Sequence, residues 1–128
     1  MNDFVMKGKI KMDRGELARG YFLKGYNCSQ AIVLAFSDRM GLNEHTAAKL
    51  SSSFGGGMGR MREVCGTVSG MAFVAGAIAP STDPSNLEQR KDNYALVQRF
   101  ANAFRSENGD IVCRRLLGLE PMVEKSET

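Results

Sequence analysis

Apolar residues along this chain recur mainly at helical spacing, and no stretch alternates between apolar and polar residues as a half-buried strand would. Leu17, Ala18, Tyr21 and Phe22, for example, would share one face of a helix. Good N-cap residues and C-terminal glycines mark where the predicted helices begin and end. These helices span residues 13–24, 28–40, 44–50, 65–79, 84–108 and 111–117.

Two of these helices have starts that depend on a specific cap. Asp83 is expected to cap the long helix, with Pro84 in its first turn, and Asp110 is expected to cap the last helix. Apolar residues of the long helix recur at heptad-like steps, so we expect them to face the core. They are Leu87, Tyr94, Val97, Ala101 and Phe104.

Two predicted helices should lie at the centre of the fold. Residues 31–36 are apolar all round, which is typical of a buried helix. The helix at 65–79 contains small residues that would let a neighbouring helix approach closely, namely Gly66, Gly70, Gly76 and Ala77. The sequence thus predicts an all-α fold, a bundle of about four main helices plus short ones.

Composition narrows the class of protein. A chain of 128 residues is expected to form one helical domain, with a core at 13–118 and flexible ends at 1–12 and 119–128. The net charge of only +3 gives no support to nucleic-acid binding. The uncharged stretch 64–82 is too rich in Gly and Ser for a membrane span. With no secretory signal and an odd number of cysteines, we expect a cytoplasmic protein, and small-residue helix faces are compatible with a homodimer.

A glycine-rich loop precedes the second central helix. Its glycines are Gly55, Gly56, Gly57 and Gly59. Such a run indicates positive φ angles or close backbone approach. One interpretation is an anion or small-ligand site formed by backbone N–H groups, with Arg60, Arg62 and Gly66. The other is a tight passage of the chain over the central helices, since the spacing fits neither a P-loop nor a dinucleotide-binding motif.

The three cysteines, Cys28, Cys65 and Cys113, all fall at predicted helix starts. The helix dipole and the free N–H groups there stabilise a thiolate and lower the thiol pKa. Arginines close in sequence would add positive potential, namely Arg60, Arg62, Arg114 and Arg115. The alternative is that three buried, unreactive cysteines share this position by coincidence.

These residues resemble the C_GCAxxG_C_C family, a group of small proteins described as redox-active. The matching segments are 25–31, the loop 54–58, the motif Cys65-Gly66-Thr67-Val68-Ser69-Gly70 and the segment 113–118. The resemblance implies an all-helical domain with redox-active cysteines. Thr67 replaces the usual alanine, and no fourth cysteine follows Gly118, so a mechanism pairing Cys113 with that cysteine is unavailable here.

Three functions remain open from the sequence. The first is thiol–disulfide or electron-transfer chemistry, in which Cys65 would be the nucleophile and Cys28 or Cys113 would resolve a mixed disulfide. In a metal or iron–sulfur site, the three thiolates would bind with a fourth ligand such as His45, although no close cysteine pair supports this. A non-catalytic binding module would use the glycine-rich loop. Neither a particular cofactor nor the redox partner or small-molecule substrate is indicated.

Overall fold

The computed structural model describes residues 3–6 and 10–120, with side chains from residue 13 onward. Residues 1–2, 7–9 and 121–128, which belong to the predicted flexible ends, lie outside the described residues. Its helices are α1 (Arg14–Leu23), α2 (Cys28–Ala35), α3 (Glu44–Ser51), α4 (Gly66–Ile78), α5 (Leu87–Asn108) and α6 (Cys113–Leu116). Short 3-10 turns follow α2 at Ser37–Met40 and α3 at Ser52–Phe54. The all-α prediction is confirmed.

A small hairpin precedes the helices. Strand β1 (Asp3–Met6) pairs antiparallel with β2 (Ile10–Asp13). The sequence shows no strand pattern or hairpin turn signal, so it did not predict this hairpin. Four-residue strands are too short to display an alternating pattern, and the apolar run in β1 hides the period. Asp13 ends β2 and also caps α1, since its side chain accepts from the N–H of Glu16.

Local capping sets most helix ends where the sequence predicts them. Asn27 and Gln30 form a reciprocal capping box at the start of α2, and Asn43 accepts from the N–H of Thr46 at α3. α2 nevertheless stops at Ala35 instead of continuing to residue 40. The guanidinium of Arg14 donates to the carbonyl of Ala35 at 2.7 Å, and the chain tightens into the 3-10 turn there.

The predicted start of α5 is wrong, and two of the five residues predicted to face the core do not. Asn86 caps α5, whereas Asp83 accepts from the N–H and hydroxyl of Ser85 in the preceding turn. Leu87 and Tyr94 are 67% and 58% exposed, while Leu96 is buried. Val97, Ala101 and Phe104 are half-buried, so the later heptad positions do lie on the inward face of the helix. The prediction for the last helix is also wrong at its start, since Val112 occupies the N-cap position of α6.

The two central helices pack directly against each other, as predicted. A Cβ added at Gly70 of α4 would lie 2.8 Å from the Cβ of Ile32 and 3.2 Å from the carbonyl oxygen of Ser29. The buried core of α2 continues toward α3, where Val33, Leu34 and Ala47 form one cluster. In the described part of the chain, no helix is both long and apolar enough to cross a membrane.

Gly70→Ala should destabilise the fold by about 1–3 kcal/mol, because the added methyl group would push α4 away from α2. Gly76 offers a matched control in the same helix, since a Cβ there would meet nothing within 4 Å. Gly76→Ala should be neutral or stabilising by up to about 1 kcal/mol. Urea denaturation of both variants measures the difference, and equal effects would contradict close α2–α4 packing at Gly70.

Candidate functional site

The starts of α2 and α4 bring two cysteines together. Cys28 is the first residue of α2, and Cys65 occupies the N-cap position of α4. Both are half-buried, and the Sγ of Cys28 lies against Gly66, the residue that follows Cys65. Cys113 is the first residue of α6. The prediction that all three cysteines stand at helix starts is confirmed.

Gly66 makes room for this cysteine pair. A Cβ at Gly66 would lie 2.4 Å from the Sγ of Cys28 and 3.0 Å from the carbonyl oxygen of Phe54. Any larger residue would therefore displace the sulfur of Cys28 or the chain at Phe54. The sequence placed Gly66 in a candidate ligand site, and the structure places it against the sulfur of Cys28.

The two thiols of the pair have opposite electrostatic environments. The pKa of Cys28 is lowered to about 5, chiefly by a hydrogen bond from the side chain of Cys65. Burial raises this pKa, whereas hydrogen bonds from the backbone N–H groups of Gly56, Ser29 and Cys28 lower it further. The pKa of Cys65 is raised, first by its hydrogen bond to Cys28 and then by burial. The electrostatics favour Cys28 as the thiolate, the reverse of the roles expected from the sequence.

Cys113 lies on the other side of the glycine-rich loop. It is buried, and a Cβ added at Gly57 would approach its Cβ to 2.7 Å. Gly57 also has a φ of 73°, so glycine is required there for both conformation and space. The guanidinium of Arg62 lies 3.6 Å from the Sγ of Cys113. The positive charge of Arg62 therefore lies beside Cys113, and its expected effect on Cys65 stays a prediction.

The glycine-rich loop, residues 55–59, therefore joins the three cysteines. Gly55 packs against the side chain of Asn27, the N–H of Gly56 points to Cys28, and Gly57 packs against Cys113. The following N–H groups, from residues 58 to 63, donate to carbonyl oxygens of residues 53–58. Anion binding by this segment stays a prediction, and it would require these N–H groups to leave their present acceptors. Arg60 is exposed, as is Gly59.

Pairing between the loop and the segment around α6 holds this arrangement. The N–H of Cys65 donates to Ile111 at 2.8 Å, next to an isolated bridge between Val64 and Val112. Arg114 pairs with Glu63 at 3.1 Å and with Glu120 at 2.8 Å; Arg115 also pairs with Glu120. The positive potential expected from Arg114 and Arg115 near the cysteines is thus largely neutralised by carboxylates.

The three cysteines do not assemble as metal ligands. Among residues 13–120, no group of three or more Cys, His, Asp and Glu side chains is arranged to hold a metal ion. Cys28 and Cys65 lie together, and Cys113 lies across the loop. His45 is an exposed residue of α3. The described residues therefore offer no ligand set for the metal alternative.

Cys28 also borders an open cleft of about 360 Å³, here called the Cys28 cleft. One wall is a face of α1, and the rest comes from the starts of α2 and α4. Its lining includes Ala18, Arg19, Phe22, Cys28, Ile32 and Thr67. The sequence places Ala18 and Phe22 on one face of a helix but does not point to Arg19, because nothing in the sequence links α1 to Cys28.

Comparison with models of known protein families shows the family of this chain. The family model described as "Putative redox-active protein (C_GCAxxG_C_C)" matches residues 26–128. The chain belongs to this family. No curated protein and no solved structure matches it. The family match includes all three cysteines and the glycine-rich loop, whereas the α1 wall of the Cys28 cleft lies outside it.

Alkylation of Cys28 by iodoacetamide should depend on pH as expected for a thiol with a pKa of about 5. The rate should fall as the pH drops below about 5 and stay constant through neutral pH, because only the thiolate reacts. In Cys65→Ala the largest stabilising hydrogen bond is lost, so the midpoint should move toward the ordinary value of about 8.5.

Mass spectrometry of the Cys28 peptide, quenched at timed intervals, gives this pH profile. Cys113→Ser is the control, because Cys113 contributes nothing to the pKa of Cys28. An unchanged profile in Cys65→Ala would contradict the hydrogen bond between the paired thiols.

Gly66→Ala should slow formation of a disulfide between Cys28 and Cys65, because the new methyl group would occupy the position of the Cys28 sulfur. Disulfide geometry tolerates only small displacements of the two sulfurs. Peptide mapping after mild oxidation measures the yield, with circular dichroism to confirm that the helices persist. Wild-type yield in a folded variant would show that Gly66 is not needed for pairing.

Proposed function

We propose that this protein carries out thiol–disulfide exchange, with Cys28 as the nucleophile and Cys65 as the resolving thiol. The observation that carries the proposal is the placement of these cysteines at the starts of two packed helices, where the Sγ of Cys28 lies against Gly66, the residue after Cys65, and Cys28 borders an open cleft. Membership of a family described as redox-active supports it. The proposal would make the protein a thiol oxidoreductase.

The first step joins the substrate to Cys28. The Cys28 thiolate attacks one sulfur of a substrate disulfide, a bond forms between that sulfur and Sγ, and the substrate S–S bond breaks. The other substrate sulfur leaves as a thiolate and takes a proton from water. Hydrogen bonds to Cys28 from Gly56 and Ser29 hold the attacking thiolate in place before the reaction.

The second step uses a change in the environment of Cys65. Once Cys28 is in a mixed disulfide, it no longer carries the negative charge that helps raise the pKa of Cys65. The N–H and hydroxyl of Thr67 continue to favour the Cys65 thiolate. Cys65 loses its proton and attacks the Sγ of Cys28. The Cys28–Cys65 disulfide forms, the second substrate thiolate leaves, and two electrons have passed from protein to substrate.

The proposal gives Cys113 no part in this exchange. It is buried beside Gly57 and Arg62, and the fourth family cysteine is missing from the chain. We place the reaction in the cytoplasm, where thiol reductants would return the pair to the dithiol form. A redox partner of that kind completes the cycle.

Treatment of the protein with a small excess of hydroxyethyl disulfide should remove two of its three thiols, leaving Cys113 free. In Cys65→Ser the first step should stop at a mixed disulfide on Cys28, because no thiol resolves it. Cys28→Ser should form no mixed disulfide at Cys65 on the same timescale, since the pKa of that thiol is raised. Thiol titration and peptide mapping provide the measurements.

Cys113→Ser serves as the matched control and should still form the Cys28–Cys65 disulfide. A native protein that loses no pair of thiols would overturn the proposal. Mapping that joins Cys113 to either of the other cysteines would overturn the assignment of roles.

A further inference from the structure

The Cys28 cleft has one charged side chain among the described residues that line it. That residue is Arg19, on the exposed side of α1. No carboxylate in the described part of the chain forms an ion pair with it, and Glu16, one turn earlier on α1, is also unpaired there. By contrast, Arg14 on the same helix is buried and pairs with Asp38. Arg19 therefore presents its charge to whatever enters the cleft.

The rest of the lining is largely apolar. Ala18, Phe22 and Ile32 form the walls, and Phe22 is 55% exposed although it borders a concave surface. An apolar group of a ligand would cover this ring and gain from leaving water. The cleft thus combines an apolar wall, a cation and a reactive sulfur within a small space.

Its size favours a small ligand. A volume of about 360 Å³ is near the lower end of the range of about 300–1,000 Å³ typical of small-molecule sites. A folded protein substrate would instead need about 800 Å² of contact surface on each partner. The cleft alone cannot supply that area.

On the basis of the proposed exchange at Cys28, we propose that the cleft takes a low-molecular-weight disulfide with a carboxylate near its S–S bond. Arg19 pairs with that carboxylate, and Phe22 covers the adjoining carbon chain. The Cys28 thiolate then bonds to the nearer sulfur and the S–S bond breaks, as in the exchange described above. The departing half leaves as a thiolate that takes a proton from water. Arg19 acts here as a specificity-determining residue.

Three small disulfides of similar length test the charge preference: dithiodipropionate is anionic, hydroxyethyl disulfide is neutral and cystamine is cationic. The rate of loss of the Cys28 thiol is measured with each, by timed quenching and mass spectrometry of the full chain. Each rate is divided by the rate of a small reference thiol, N-acetylcysteine, with the same disulfide, because the three leaving thiols differ in pKa. On this relative scale the wild-type protein should favour dithiodipropionate most and cystamine least. Added salt should reduce this preference, because the charges are exposed.

Arg19→Gln should slow the reaction with dithiodipropionate by about two- to fivefold, as expected for one exposed charge pair, and leave hydroxyethyl disulfide unchanged. Arg99→Gln is the matched control, since it removes an exposed arginine of α5 outside the cleft and lowers the net charge equally. It should leave all three rates unchanged. Iodoacetamide reactivity of Cys28 should be the same in both variants, which separates substrate charge from thiolate formation.

Equal slowing of all three disulfides by Arg19→Gln, or equal effects of Arg19→Gln and Arg99→Gln, would overturn the assignment of Arg19. An oxidised acidic peptide that reacts faster than dithiodipropionate, with the same dependence on Arg19, would overturn the assignment to a small substrate. Failure of Cys28 to react with hydroxyethyl disulfide as well would instead overturn the proposed exchange itself.

Discussion

The close contact between α2 and α4 is the constraint on which the rest of the site depends. Gly70 lets the two helices touch along their length, and Gly66 lets the sulfur of Cys28 lie against the first turn of α4. Two helix starts are thereby placed side by side, each with a cysteine. Because backbone N–H groups at a helix start are unpaired within the helix, the contact also concentrates hydrogen-bond donors around the sulfurs.

The glycine-rich loop and α6 depend on that contact in turn. The loop crosses the ends of both helices, and Gly55 and Gly57 fit against Asn27 and Cys113. Ion pairs from Arg114 to Glu63 and Glu120 then tie α6 to the end of the loop. These pairs are exposed and each contributes little by itself, but together they fix a segment that has few apolar contacts of its own.

Local features of the sequence predicted much of this. Asn27 and Gln30 form a local capping motif that predicts a helix start without any knowledge of the tertiary structure. The cysteines could therefore be placed relative to such helix starts. The partner of each cysteine could not be predicted, because it depends on how distant helices pack. Arg62 is an example. It is near Cys65 in sequence, but its backbone is in the left-handed conformation and its side chain lies beside Cys113. The prediction of where α5 starts failed for a similar reason, because Asp83 and Asn86 are both good N-cap residues and the local sequence does not distinguish between them.

The hydrogen bonds to Cys28 also bear on the direction in which electrons move. A thiol with a pKa of about 5 is held as a thiolate at neutral pH, so the reduced pair is more stable than two ordinary thiols would be. A stabilised thiolate is also a good leaving group, which makes any disulfide at Cys28 easy to cleave. In the proposed exchange the pair would therefore be a weaker electron donor than two ordinary thiols, and its disulfide would be reduced more readily. Sustained reduction of a substrate would require a more strongly oxidising disulfide or one held in excess.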